Sequence, residues 1–236
     1  MSEFIEKVVT AILQGDRLDR ETALRLAAEP EAEQLWQGAD RIRKHVHGSR
    51  FSLCAIINAR SGRCSEDCRF CAQSARHRSG IDEYDSIAPT EAVRLAEEND
   101  RYGVHRLSLV TSGRTADEGL LARLAGIYEK ISNNCRLKLC GSLGLLTPDK
   151  ARLIRKMGVS RYHCNLEASR SFFPRVCTTH SWAEKVETLH LAREAGLSLC
   201  SGGIIGMGEG LADRMDLALE LRDLGVVSVH LDTPLP

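Results

Sequence analysis

FSLCAIINARSGRCSEDCRFCAQ, residues 51–73, sets how the rest of the chain is read. It opens with a short apolar run, FSLCAIINA, of the length and composition of a buried strand. It then breaks at Gly62 into a polar loop carrying Cys64, Cys68 and Cys71. Five further apolar runs follow: HRLSLVTSG (105–113), RLKLCGSLG (136–144), SRYHCNLEA (160–168), LSLCSGGIIG (197–206) and VVSVHLD (226–232). Stretches with apolar residues at helical spacing lie between them, namely TEAVRLAEENDRYG, EGLLARLAGIYEKISN, TPDKARLIRKMG, SWAEKVETLHLAREAG and ADRMDLALELRDLG. Strand then helix, repeated, predicts parallel strands joined by right-handed crossovers, with functional groups at the C-terminal strand ends.

The cysteine loop therefore follows the first strand of an α/β barrel-type unit. Residues 1–48 read as a separate helical segment with a cap at Asp19, and 49–236 as the barrel unit. Phe51 to Pro236 is short of the ~250 residues that a complete eight-unit barrel uses. The reading therefore expects six strands in an incomplete or open barrel ending at DTPLP.

Composition narrows the function classes. Hydrophobic residues make up 43% of the 236-residue chain, enough for a sizeable core, and 32 basic residues balance 32 acidic ones. No basic stripe points to nucleic acid or a membrane surface. The N-terminus lacks a signal-peptide pattern and no apolar run reaches membrane-spanning length, so a cytoplasmic location is expected. Nine cysteines in such a compartment point to metal or redox chemistry before a disulfide framework.

The loop spacing is C-x3-C-x2-C. Three thiolates can hold three irons of a [4Fe–4S] cube and leave the fourth iron free to chelate an amino-carboxylate, such as the methionine end of S-adenosylmethionine (SAM). A zinc site would want a fourth ligand, for which His77 is the available stand-in, and a thioredoxin-like site would use an isolated C-x-x-C. The absence of a fourth cysteine favours the cluster, and Phe70 fits a side chain packed beside the cofactor.

C-x3-C-x-aromatic-x-C after a first strand resembles the radical SAM superfamily. NARSGRCSEDCRFCAQSA, YHCNLEAS, VCTTHSWAEKVETL and LCSGGIIGMGE resemble the biotin synthase family within it, over about Val46 to Asp232. The resemblance implies conversion of dethiobiotin to biotin, with sulfur inserted between two unactivated carbons through a 5'-deoxyadenosyl radical. By similarity Cys64, Cys68 and Cys71 hold the radical-generating cluster. Asn165 and Glu167 stand where the family contacts the SAM ribose and the substrate, with Glu in place of Asp. Lys185 stands at an arginine thought to face the SAM carboxylate; it keeps the cation but loses the bidentate fork. A solvated helix charge is the competing reading of Lys185. Ser112 and Gly113 fall at the turn that receives the methionyl ammonium, and Gly202 and Gly203 where backbone approaches adenine or ribose.

The best-known relatives carry a second, [2Fe–2S] cluster on cysteines from strands two, three and five and an arginine from strand seven. Cys140 and Cys200 fall on two of those positions, Ser108 occupies the third, and the seventh strand is absent. Cys164 on strand four is the expected replacement. Cys140, Cys164 and Cys200 would then hold an auxiliary iron–sulfur cluster of another type, as in a branch of the family from anaerobes. The competing reading is that all three are buried small apolar residues. Cys54 and Cys135 read as core or surface thiols, Cys177 as a reserve ligand, and His105, His163 and His180 as ordinary polar positions.

The resemblance further implies a flavodoxin- or ferredoxin-type electron donor and a homodimer. Two more strand–helix units would complete the dethiobiotin pocket, where Asp232 stands at a substrate-binding asparagine, so turnover without them is expected to be poor. Two alternatives remain open: a radical SAM enzyme of the hydrogenase-maturation or methylornithine-synthase type, and a truncated, catalytically silent iron–sulfur protein.

Overall fold

The computed structural model describes residues 2–233. Three helices come first, α1 (Glu3–Leu13), α2 (Arg20–Ala27) and α3 (Ala32–His47), followed by β1 (Cys54–Arg60). The remainder alternates: α4 (Pro89–Arg101), β2 (Arg106–Thr111), α5 (Glu118–Asn134), β3 (Lys138–Ser142), α6 (Pro148–Lys156), β4 (Arg161–His163), α7 (Trp182–Glu194), β5 (Ser198–Ile204), α8 (Leu211–Asp223) and β6 (Ser228–Asp232). All neighbouring strands pair in parallel, in the order β1-β2-β3-β4-β5-β6. The expected six-stranded (β/α) half-barrel is thus observed. Pro234–Pro236 of the DTPLP ending lie outside the described residues.

Local chemistry explains the boundaries. Asp19, Asp117 and Thr147 cap α2, α5 and α6 by accepting from backbone N–H groups three residues on. Ser181 and Glu184 form a reciprocal capping box at the start of α7. Each crossover helix lays its apolar stripe on the outer sheet face. Ile57, Ala59, Leu107, Leu109, Leu139, Tyr162 and Leu199 from alternate strand positions meet Leu120, Leu124, Ile131, Ile154, Leu189 and Leu217 from the helices in one buried cluster. The intervening positions, Cys54, Ser108, Cys140, Arg161, Cys200, Ser228 and His230, line a cavity on the inner face. Side-chain alternation along a strand therefore sorts the sequence into an apolar outside and a functional inside.

The fourth strand departs from the expected SRYHCNLEA run, since β4 is only Arg161–His163. Glu167 adopts φ +68°, a left-handed conformation that ends regular pairing. The segment stays docked on β5 all the same. Cys164 N–H donates to Cys200 O, Leu166 N–H to Ser201 Oγ and Glu167 N–H to Gly202 O. The N-terminal helices brace this scaffold. α1 is tied to α3 by a Glu6–Arg41 ion pair, and α2 to α8 by Arg20–Asp216.

Candidate functional site

The loop between β1 and α4 is folded by its own backbone. Gly62 (φ +75°) and Arg63 (φ +50°) turn the chain away from the strand end. The left-handed φ at Gly62 favours glycine there, and a Cβ would also push the Glu83 side chain aside, lying 2.6 Å from its Cγ. Cys64 N–H donates to Gln73 O and Ala75 N–H to Cys64 O, while Cys71 N–H donates to Cys68 O. These bonds fold 64–75 into a compact turn that presents Cys64, Cys68 and Cys71 to one cavity. His77 turns elsewhere, with Nε2 3.0 Å from Cys68 O, which removes it as a stand-in zinc ligand.

That cavity, of about 280 Å³, lies over the C-terminal strand ends. Its lining brings together Phe70, Ser112, Gly113, Asn165, Glu167 and Lys185 with the three cysteines. Lys185 is buried, 8% exposed, and is no solvated helix charge. Its Nζ donates to Asn165 O at 2.8 Å and to Glu167 Oε1 at 3.3 Å. Burial pulls the ammonium down, but the Glu167 carboxylate and the Cys164 and Cys68 sulfurs outweigh it and hold Lys185 above its ordinary pKa. Among the described residues, two buried side-chain polar atoms lack a partner, Thr111 Oγ1 and Glu167 Oε2, and both residues line this cavity. An orphaned carboxylate oxygen next to a charged ammonium suits a ligand that brings hydroxyl donors and a carboxylate of its own.

Gly202 and Gly203 do not line the cavity. A Cβ on Gly202 would sit 1.8 Å from His230 O of β6, and one on Gly203 would sit 2.7 Å from Glu167 O. These glycines let three backbones approach one another, so strand packing alone accounts for both.

The auxiliary site also needs correction. Across β3–β4–β5 the register pairs Cys140 with Arg161, and His163 with Cys200. Cys164 is therefore one residue past the position level with Cys200, and one step along a strand reverses the face. It joins the outer apolar cluster and lines only the upper cavity, where burial pushes its thiol up. Cys140 and Cys200 instead face a second cavity of about 260 Å³ together with Cys54 of β1. Arg106 Nη1 comes 3.8 Å from Cys140 Sγ, and Arg161 lines the same cavity. Burial raises the Cys200 thiol to about 11 despite an opposing bond with Ser228 and the nearby Arg161 charge.

Several further residues take part that sequence reasoning treated as ordinary. His163 lines both cavities, with Nδ1 3.1 Å from Ser142 Oγ and Nε2 2.9 Å from Asn165 Oδ1. The Asn165 oxygen can only accept, so Nε2 carries the hydrogen and Nδ1 takes the Ser142 hydroxyl. Burial, then the neighbouring His230, lowers its pKa to about 4 and keeps the ring neutral. Glu66, between the first two loop cysteines, accepts from Thr179 Oγ1 (2.9 Å), His180 Nδ1 (2.6 Å) and Arg114 Nη1 (3.3 Å). Burial would raise its pKa, but these bonds and one from Ser65 outweigh it and keep the carboxylate ionised. Asp67 accepts from Thr178 N–H (2.8 Å), the Thr178 hydroxyl and Cys177 Sγ (3.1 Å), which hold it well below the usual carboxylate range. Arg69 N–H also donates to Val176 O. The VCTTH segment is thus a clamp on the cysteine loop. The available signal was the paired acid–hydroxyl chemistry of SED (65–67) and TTH (178–180).

Comparison with known proteins identifies the family. The sequence pattern of the Radical SAM superfamily matches residues 59–232. A biotin synthase from Desulfotalea psychrophila is 46% identical over 231 residues, spanning 97% of this chain and 69% of that protein. A biotin synthase from Heliobacterium modesticaldum is 45% identical over 98% of this chain and 72% of its own, and one from Clostridium perfringens 43% over the same shares. Among solved structures, a methylornithine synthase superposes with TM-score 0.85 at 19% identity, over 97% of this chain and 68% of that one. HydG, a maturase of the [FeFe]-hydrogenase, superposes with TM-score 0.82 at 17% identity, over 100% of this chain and 55% of its own. At those identities the two structures speak to the fold alone.

Proposed function

Because the chain belongs to the biotin synthase family of the radical SAM superfamily, a family of sulfur-inserting enzymes, we propose that its two inner cavities divide the conversion of dethiobiotin to biotin between them. The observation that carries this reading is that Cys64, Cys68, Cys71, Asn165, Glu167 and Lys185 line one cavity while Cys54, Cys140 and Cys200 line the next, with Val110, Ser142, His163 and Asn165 common to both.

In this reading Cys64, Cys68 and Cys71 hold the [4Fe–4S] cluster. The donor set fits, being three thiols at one cavity with a free carboxylate oxygen and an ammonium beside them. When bound, the cluster and SAM together supply an organic radical strong enough to take hydrogen from an unactivated carbon. The chain's own residues do the positioning. Glu167 Oε2 accepts the ribose hydroxyls, the Lys185 ammonium faces the SAM carboxylate, and Ser112–Gly113 offers backbone carbonyls to the methionyl ammonium. Phe70, packed beside Ala168, Phe172 and Val176, keeps that end of the cavity dry. The neutral His163 orients the Asn165 amide at the junction of the two cavities.

Cys54, Cys140 and Cys200 are the proposed ligands of an auxiliary iron–sulfur cluster that supplies sulfur. Arg106 and Arg161 bring positive charge that offsets the thiolates. A flavodoxin- or ferredoxin-type donor, a homodimer and a cytoplasmic location complete the proposal, with residues 1–48 as a bracing segment and 49–236 as the catalytic unit. No helix among the described residues is long and apolar enough to cross a membrane.

The test is anaerobic reconstitution with iron, sulfide and SAM, followed by iron counting and assay of 5'-deoxyadenosine and biotin. Cys64→Ala, Cys68→Ala and Cys71→Ala should each abolish 5'-deoxyadenosine while leaving auxiliary iron in place. SAM cleavage retained by Cys68→Ala would sink the assignment.

A further inference from the structure

Cys177 lines neither cavity, yet it is 4% exposed and its sulfur is placed with care. Its thiol donates to Asp67 Oδ1 at 3.1 Å and lies 3.3 Å from His180 Nδ1. Cys68 closes the group: Cys68 Sγ, Cys177 Sγ and a His180 ring nitrogen all lie within 4.8 Å of one another. Cys64 and Cys71 take no part in it.

A clamp between the two loops does not need this thiol. Thr178 and Thr179 already supply hydroxyl and N–H donors to Asp67 and Glu66, and a thiol is a weaker donor than either. Two sulfurs and an imidazole nitrogen, by contrast, are the donor set of a thiophilic divalent ion. Tetrahedral zinc with Zn–S of about 2.3 Å sets its sulfurs roughly 3.8 Å apart, which these side chains reach by small rotations. Glu66 accepts from His180 Nδ1–H, which leaves Nε2 as the ring nitrogen with a lone pair for the ion and fixes the orientation of the ring.

We propose that Cys68, Cys177 and His180 form a mononuclear site for a thiophilic divalent cation, zinc or ferrous iron, in the cluster-free chain. Binding takes up M²⁺ and releases the two thiol protons to solvent, while His180 gives a ring lone pair and water fills the fourth position. No electron is transferred. The exclusivity, though not the binding, rests on the assignment of Cys68 to the [4Fe–4S] cluster: one sulfur cannot serve both, so an ion held here blocks cluster assembly.

Cobalt(II) is the probe for the cluster-free chain, read by its sulfur-to-metal charge-transfer band and then displaced with zinc. The native chain should bind a single equivalent. Cys177→Ser and His180→Asn should each weaken binding by about tenfold or more, while Cys64→Ser and Cys71→Ser leave it unchanged. Preloading with zinc should slow iron uptake during reconstitution in the native chain and not in Cys177→Ser. Far-ultraviolet circular dichroism screens each variant for folding, and Cys177→Ala carries the test if the serine variant misfolds. Undiminished cobalt affinity in the folded Cys177 variants, or equal loss in Cys64→Ser, would overturn the proposal in favour of metal held by the cysteine loop alone.

Discussion

The buried Lys185–Glu167 pair lends itself to a quantitative test of how the upper cavity is built. The two charges are 3.3 Å apart and both residues are 8% exposed. At an effective dielectric of about 20 their attraction is roughly 5 kcal/mol, much of it cancelled by the desolvation of both groups. Removing one partner leaves the other charge buried without compensation. Lys185→Met and Glu167→Gln should therefore each destabilise the cluster-free chain by about 3–5 kcal/mol. The double variant replaces the pair with neutral groups of similar volume and should lie within about 1–2 kcal/mol of the native chain.

The assay is urea unfolding under reducing, anaerobic conditions, followed by far-ultraviolet circular dichroism. With an m-value of about 3 kcal/mol/M, each single variant shifts the midpoint down by roughly 1–1.7 M, and the double variant recovers most of the shift. SAM binding separates structure from function. The double variant, although stable again, should still bind SAM about tenfold or more weakly, because the ammonium and the free carboxylate oxygen are both gone. Additive single effects, with a coupling below about 0.5 kcal/mol, would refute the claim that the two charges hold each other in the core.

Three further outcomes are expected. Cys54→Ala, Cys140→Ala and Cys200→Ala should each lose auxiliary iron and biotin formation but keep SAM cleavage, whereas Cys164→Ala should keep its iron; lost auxiliary iron in Cys164→Ala with none lost in Cys54→Ala would reverse the ligand assignment. His163 titrates at about 4 in the fold against an ordinary 6.5, so the unfolded chain takes up its proton first and stability falls as pH drops from 6.5 towards 4, by roughly 3 kcal/mol from this group. His163→Gln should flatten that part of the pH–stability curve, and an unchanged slope would show the ring is not held neutral. Asp67→Asn removes the charge that gathers Thr178, Thr179 and Cys177, and should speed iron loss to a chelator by about fivefold from a holoprotein of native circular dichroism; unaltered iron loss would mean the clamp does not steady the cysteine loop.

The parts of this fold that follow local rules could be read directly. The alternation of apolar runs with capped amphipathic helices predicted six parallel strands, and C-x3-C-x2-C after the first of them marked the upper cavity. What escaped was whatever depends on register. Cys164 was expected beside Cys140 and Cys200 because all three follow short apolar runs, but which face a cysteine takes is set by pairing across strands. The β4 segment, with His163 level with Cys200, puts Cys164 on the other face. Cys54 was read as a core or surface thiol for the same reason, since at the start of β1 nothing local shows which face it takes. The Gly202–Gly203 pair was legible as a close approach, but the sequence does not say that the partners are β6 and the Glu167 backbone. For Lys185 the sequence left a SAM-facing cation and a solvated helix charge side by side, because α7 carries charges around its circumference, and only packing against Phe173 and Glu167 shows it to be internal.

The shared wall of the two cavities gives these details a common consequence. Ser142, His163 and Asn165 line both spaces, and the hydrogen bonds from Ser142 through His163 to Asn165 run along the boundary. Under the proposed division of the reaction, the substrate would lie at that boundary, with its reacting carbons near β4. The short β4 and the left-handed Glu167 bear directly on this boundary. A regular strand through 164–168 would keep alternating and carry Glu167 into the lower lumen with Asn165. The turn at Glu167 instead sends its carboxylate to Lys185 and the upper cavity while leaving Asn165 between the two. The irregularity that sequence reading missed is therefore the feature that sends the Glu167 carboxylate to the upper cavity alone and leaves the Asn165 amide, two residues away, on both.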